Sequence, residues 1–227
     1  MPQIILLFLL AASPPANPDL LKARDAQNRP QLEQIATQLS SLAERQQTDA
    51  RAQYQAALAH STLAEVATEL RDKTQARNAS EAGMKTAERA VALKPSEAEY
   101  HRILGTLCGQ EAGALGGFGA LKYGRCALDE VNKAVELDPR EPMNYLSRGI
   151  GNYYLPAALG GGVELAMKDF EKAISLDSGS ADAHLWLGIA LRKLNRNADA
   201  RKEFEKAAKL NPARLWAKQQ LEKTPPQ

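Results

Sequence analysis

Cysteine, histidine and aromatic residues are all scarce in this chain: two, three and 5% of 227 residues. Two cysteines cannot build a disulfide framework or a cysteine-based zinc site, and three scattered histidines do not make up the shortfall. His60, His101 and His184 are nowhere four residues apart, the spacing that puts two imidazoles of one helix on one metal. Neither a metal nor a cofactor is expected. An excess of one charge is also lacking, since 29 Lys and Arg stand against 27 Asp and Glu. With 44% hydrophobic residues, that balance excludes global disorder. Long apolar runs are missing too. The run Ile4 to Ala12 cannot cross about 30 Å of hydrocarbon at about 1.5 Å per residue.

What is abundant is alanine, with 39 residues. Alanine has the highest helix propensity and little strand preference, so the composition excludes an all-β fold and suits close-packed helices. The apolar run and the following Ser-Pro-Pro-Ala predict a signal peptide over residues 1–16, with Ala12, Ser13 and Ala16 near the cleavage point. The other reading of this run is an apolar N-terminal strand or a start codon set too early. Export implies a periplasmic or secreted bacterial protein with no stable membrane span once the signal is removed; on the other reading of the run the protein is cytoplasmic. Residues 17–29 are expected to form a linker, 30–223 a helical domain and 224–227 a disordered tail.

Internal repetition organises that domain. A small residue, an apolar or small one four later, alanine three after that and a stop five further on recur four times. They are Gly83, Ala87, Ala90 and Pro95; Ala127, Val131, Ala134 and Pro139; Ala166, Phe170, Ala173 and Ser178; and Ala200, Phe204, Ala207 and Pro212. Each set follows a pair suited to close helix approach: Leu58-Ala59, Leu104-Gly105, Arg148-Gly149 and Leu187-Gly188. Small residues let two antiparallel helices approach, and proline stops the second because it has no N–H to donate. The distance between pair and set shrinks toward the C-terminus, so any insertions fall between the two helices of a hairpin. An apolar stripe at helical spacing from Leu32 to Ala43 predicts a packing helix before the repeats, and Trp216, Ala217 and Leu221 predict a cap after them.

This pattern resembles the tetratricopeptide repeat (TPR) family, a bacterial exported type, with the C-terminal unit the nearest match. A more distant likeness is to repeat proteins of the regulator-of-microtubule-dynamics type. Arg148 stands where the family has leucine, Ser178 where it has proline, and no unit has tryptophan at the large first-helix position. The resemblance implies an all-α, right-handed solenoid of stacked antiparallel hairpins, about ten helices in all, and a non-enzymatic scaffold that binds a protein or peptide on its concave side. Carried over by position, it marks a groove of Glu99, Arg102, Thr106, Met143, Leu146, Ile150, Tyr153, Tyr154, Leu185, Ile189 and Arg192. His60 and Ala56 fall on the same face. Leu146, Ile150, Leu185 and Ile189 are equally suited to packing on neighbouring helices.

Candidates for chemistry fail on spacing. In the glycine-rich stretch Gly109–Gly124, Lys122 lies between Leu121 and Tyr123, whereas a phosphate loop needs Gly-Lys-Ser or Gly-Lys-Thr. The stretch is expected to be an enlarged connection, and Leu155–Glu164 another. No Ser-His-Asp or Cys-His arrangement can be assembled, so no catalytic residue is assigned and the protein is not expected to be an enzyme. Nucleic acid is not an expected partner, for want of a basic platform with stacking aromatics. Cys108 and Cys126 fall on the two arms of one hairpin; they are either a disulfide of an exported protein or two buried thiols. The second functional reading is a small-ligand-binding or transporter-associated envelope component, with the glycine-rich connections roofing a closed cavity.

Overall fold

A computed structural model describes residues 17–115 and 117–225. The expected signal segment, residues 1–16, lies outside them. Eleven α-helices follow one another among the described residues, with no strand. They are α1 (Pro18–Asp25), α2 (Arg29–Arg45), α3 (Ala50–Glu69), α4 (Lys73–Leu93), α5 (Ala98–Leu115), α6 (Gly117–Leu137), α7 (Pro142–Tyr154), α8 (Val163–Leu176), α9 (Ala181–Lys193), α10 (Asn197–Leu210) and α11 (Leu215–Glu222). Helices α1/α2, α3/α4, α5/α6, α7/α8 and α9/α10 form five stacked hairpins, and α11 lies on the last.

The small residues do what their spacing requires. A Cβ built on Gly149 would lie 2.5 Å from Phe170 Cε1, on Gly188 2.6 Å from Phe204 Cε1, and on Gly105 2.7 Å from Val131 Cγ1. The second arms are equivalent: Gly83, Ala87 and Ala90 on α4, Ala127, Val131 and Ala134 on α6, Ala166, Phe170 and Ala173 on α8, and Ala200, Phe204 and Ala207 on α10 are all buried. Side-chain oxygens of Asn17, Asn28, Asp49, Asp72, Glu141 and Ser180 accept from backbone N–H groups of the first turns that follow, which would otherwise lack partners.

Three hairpins turn in the same way. Gln27, Arg71 and Asn195 adopt left-handed φ values of 51°, 63° and 60° just beyond α1, α3 and α9. In each case the next amide donates back to a carbonyl five residues earlier: Asn28 to Ala23, Asp72 to Ala67 and Arg196 to Leu191. This is the Schellman arrangement, which satisfies the last carbonyls of a helix without any loop.

Four expectations change. Residues 17–29 are not a linker: α1 forms there, because Leu20 and Ala23 bury against Leu32, Ile35 and Leu63. Gly109–Gly124 is not an enlarged loop, since Gly109 to Leu115 belong to α5 and Gly117 onward to α6. The extra residues of α3/α4 and α5/α6 likewise lengthen their helices, and among the described residues only α7/α8 is joined by an extended connection, with a 3-10 turn at Ala157–Leu159 and left-handed Gly160 and Gly162. Thr224, assigned to a disordered tail, is fully buried and donates to Gln220 O. Pro226 and Gln227 lie outside the described residues.

Candidate partner-binding channel

Neighbouring first helices pack on one another, α1 on α3, α3 on α5, α5 on α7 and α7 on α9. This inner row is where the groove residues fall. On α5 the polar ones are engaged with each other. Arg102 donates to both carboxylate oxygens of Glu99, at 2.6 and 2.5 Å, and to Ser147 Oγ at 3.3 Å. The Tyr54 hydroxyl donates to Glu99 Oε1 at 2.7 Å, and Thr106 Oγ1 donates to Arg102 O at 2.9 Å. Burial works to raise the Glu99 carboxyl, but the Arg102 guanidinium and the hydrogen bonds from Arg102 and Tyr54 outweigh it and hold it below its ordinary value. Tyr54, Glu99, Arg102 and Ser147 tie α3, α5 and α7 together.

The apolar groove residues divide. Leu146, Leu185 and Ile189 are buried in the core that spans α7 to α11, and Met143, Ile150 and Tyr153 pack against it half-buried. Arg102, Leu146, Leu185 and Ile189 are thus buried in this structure. Arg192 reaches the C-terminal cap, donating to Gln220 Oε1 at 2.5 Å and to Thr224 Oγ1 at 3.1 Å.

Tyr154 alone of the set is strongly exposed, at 63% of its surface. Its phenol is nevertheless pushed up to about 12, first by desolvation and then by Tyr153 and Glu69. Its neighbours are aromatic. Tyr153 and Tyr154 both meet Trp186 edge-on, with ring centres 5.8 and 6.1 Å away, and Trp186 meets Trp216 at 5.4 Å. Lys193 Nζ lies 4.2 Å from the Tyr153 ring centre. Position within the repeat did not mark Trp186 and Trp216, because one sits at an unremarked first-helix position and the other in the cap.

The inner row also meets itself. Arg24 of α1 pairs with Asp182 of α9 at 2.8 Å, and Asn211 Nδ2, at the end of α10, donates to Asp25 Oδ2 at 2.8 Å. Arg214, in the α10–α11 turn and 1% exposed, pairs with Glu65 of α3 at 2.7 Å and also with Glu69. Its Nε lies 3.6 Å from Asp182 and 3.8 Å from Asp25. The beginning and end of the solenoid thus touch across the concave side. No sequence signal distinguishes these charges from the solvated ones around them.

His101 and His184 are bonded within their hairpins, to Glu130 at 2.6 Å and Glu203 at 2.5 Å. His60 meets Ser40 at 2.8 Å and lines an open recess of about 400 Å³ with Leu63, Asp72 and Gln75, away from the glycine-rich connections. Cys108 and Cys126 are joined in the structure, with Cα atoms 5.9 Å apart. Among the described residues no group of three His, Cys, Asp or Glu could hold a metal, and no helix is long and apolar enough to cross a membrane.

Comparison with known proteins agrees with this architecture. The family model described as regulator of microtubule dynamics protein 1-3 matches residues 19–155, more than half of the chain, and a tetratricopeptide repeat model matches residues 181–214. Regulator of microtubule dynamics protein 3 of Mus musculus is 27% identical over 144 residues, which are 56% of this chain and 31% of the mouse protein. The chain thus spans about a third of the length of that curated relative. The crystal structure of a thermophilic TPR protein of Thermus thermophilus superposes with a TM-score of 0.63 at 17% identity, covering 89% of this chain and 98% of the other, a likeness of fold alone.

Proposed function

The chain belongs to the regulator of microtubule dynamics protein 1-3 family, and from that membership and its repeat fold we propose that it is a non-enzymatic scaffold that docks a protein or peptide segment at the aromatic mouth of its concave side. The observation that carries the proposal is Tyr154, an exposed aromatic side chain at the edge of a cluster with Tyr153, Trp186 and Trp216. Large rigid rings lose little entropy on binding and contribute much contact area, which is why they dominate interaction hot spots. The mouse relative is named for microtubule dynamics; the proposal extends only to binding by the helical module that the two chains share.

Localisation is part of the same proposal. An apolar N-terminal segment with small residues after it, and a pair of cysteines within bonding reach, suit an exported protein in an oxidising compartment. Affinity purification with the unaltered chain beside a Tyr153→Ala, Tyr154→Ala variant tests the site. The variant should lose specific partners by tenfold or more, about 1.4 kcal/mol or above. Identical partner sets at equal helicity would remove the aromatic mouth as the docking site.

A further inference from the structure

The α5/α6 hairpin changes character at the link between its arms. Below it, Leu104, Leu107, Cys108 and Ala127 are buried in one apolar cluster with Met84 and Ala87 of α4. Gln110 Nε2 then donates to Ser61 O at 2.9 Å, and Glu111 Oε2 accepts from Ser80 Oγ at 2.6 Å. Beyond Glu111 that support ends. Of the side chains described from 112 to 125 none is buried, and only Tyr123 packs on the cluster. The cations of this stretch stay within α6: Arg125 lies 3.9 Å from Asp129, and Lys122 stands over the Tyr123 ring.

Glycine weakens the same stretch from within. Gly113, Gly116, Gly117, Gly119 and Gly124 fall in it, and glycine is the poorest helix former after proline. A Cβ added to Gly113 or Gly124 would have no atom of the described residues within 4 Å, so neither glycine serves a close approach of the two arms. The α3/α4 hairpin, of similar length, differs: Val66, Ala67, Ala76 and Ala79 are buried and carry the packing almost to its turn. A segment with few buried contacts opens at a small free-energy cost and independently of the core. What offsets this at α5/α6 is covalent. Cys108 and Cys126, with Cα atoms 5.9 Å apart, pin the two arms at their last packed level, and a cross-link limits the freedom gained when the loop it closes opens.

We propose that the Cys108–Cys126 bond is a redox switch for the order of residues 112–125. Joined, the two arms continue as the ends of α5 and α6; reduced, this stretch opens while the remaining hairpins stay folded, because their apolar clusters contain none of its residues. The reductant is a dithiol. One of its thiolates attacks the sulfur of Cys126, which is half-buried, whereas Cys108 is 2% exposed. The S–S bond breaks, its electron pair leaves on the Cys108 sulfur, and that sulfur takes a proton. The second thiolate of the reductant then displaces Cys126 from the mixed disulfide in the same way. Two cysteine thiols and the oxidised dithiol result, with two electrons and two protons transferred. The switch does not depend on the docking site at Tyr154.

Hydrogen exchange of the full chain, read by mass spectrometry, tests the switch, with the bond formed in oxidised glutathione and then reduced with dithiothreitol. Peptides from 112–125 should exchange roughly tenfold faster or more after reduction. Peptides from α3 and α9 should keep their rates, and reoxidation should restore slow exchange. A Cys108→Ala, Cys126→Ala variant should exchange in this stretch like the reduced chain whether or not dithiothreitol is present, which separates loss of the bond from any effect of the reagent. Equal rates for 112–125 in the oxidised and reduced chain would overturn the switch. So would faster exchange in every helix on reduction, which would make the bond a support of the whole fold, and so would two freely alkylated thiols in the chain kept in oxidised glutathione.

Discussion

At the scale of single residues, helix contacts depend on the absence of one carbon atom. The ring of Phe170 occupies the space where Gly149 would carry a Cβ, and Phe204 does the same at Gly188. Gly149→Ala should therefore destabilise the chain by about 1–3 kcal/mol, read as a lower urea midpoint, because a packed ring cannot retreat. Gly151, two residues on in the same helix, has nothing within 4 Å of its added carbon. Gly151→Ala should leave stability unchanged or raise it by about 0.5–1 kcal/mol, from helix propensity alone.

Titration is a residue property as well. Burial raises the Glu69 carboxyl to about 7 despite the nearby Arg214, with Glu65 adding to the rise. Because the folded chain binds this proton more tightly than the unfolded one, Glu69 supports stability at low pH and loses that support as pH rises from its ordinary value of 4.5 through about 7. Asp182 works in the opposite sense: burial opposes its charge, but Arg24 and Arg214 hold it below its ordinary value, so its contribution is lost as pH falls. Urea unfolding of the unaltered chain and of Glu69→Gln at pH 5 and pH 8 separates the two. The stability of the unaltered chain relative to the variant should fall between those pH values by at most about 3 kcal/mol. A difference that stays constant or grows would assign the Glu69 shift the wrong sign.

At the scale of elements, connections and helix lengths were the hardest features to read. Glycine costs a helix about 1 kcal/mol relative to alanine, so a segment with six glycines from 109 to 124 reads as a loop. The flanking contacts override that preference. Leu107, Cys108 and Ala127 bury in one cluster, and the α5/α6 pair is cross-linked from Cys108 to Cys126. Reduction should therefore be felt at this hairpin. With the two cysteines 18 positions apart, breaking the link should cost about 3 kcal/mol on the loop-entropy account. Thermal unfolding with and without reductant measures the loss, and mass spectrometry of non-reduced peptides measures the bond itself; two freely alkylated thiols would remove it. The tight turns were unreadable for a different reason, since Gln27 and Arg71 carry none of the glycine that usually announces a left-handed helix end.

At the scale of the molecule, the resemblance that looked weaker covers most of the chain. The regulator-of-microtubule-dynamics model takes in α1 to α7, while the standard repeat accounts for α9 and α10. Where helices lengthen beyond the standard unit, the signature loses its spacing but not its small residues, which is why Gly105, Ala127 and Ala134 could still be recognised. The groove carried over from the family was less legible. Its positions fall on the first helices, yet whether such a residue is free depends on curvature, and here the curvature brings α1 against α9 and the α10–α11 turn.

The sequence by itself determined the helices, their pairing and the small residues at each crossing, because these follow from local propensity and from spacing along one helix. Only the tertiary structure decided which inner residues stay open, that Trp186 and Trp216 stand beside Tyr154, and that Arg214 meets acids from three other helices. Those outcomes depend on the sum of small rotations between successive hairpins, and no single hairpin's sequence encodes that sum.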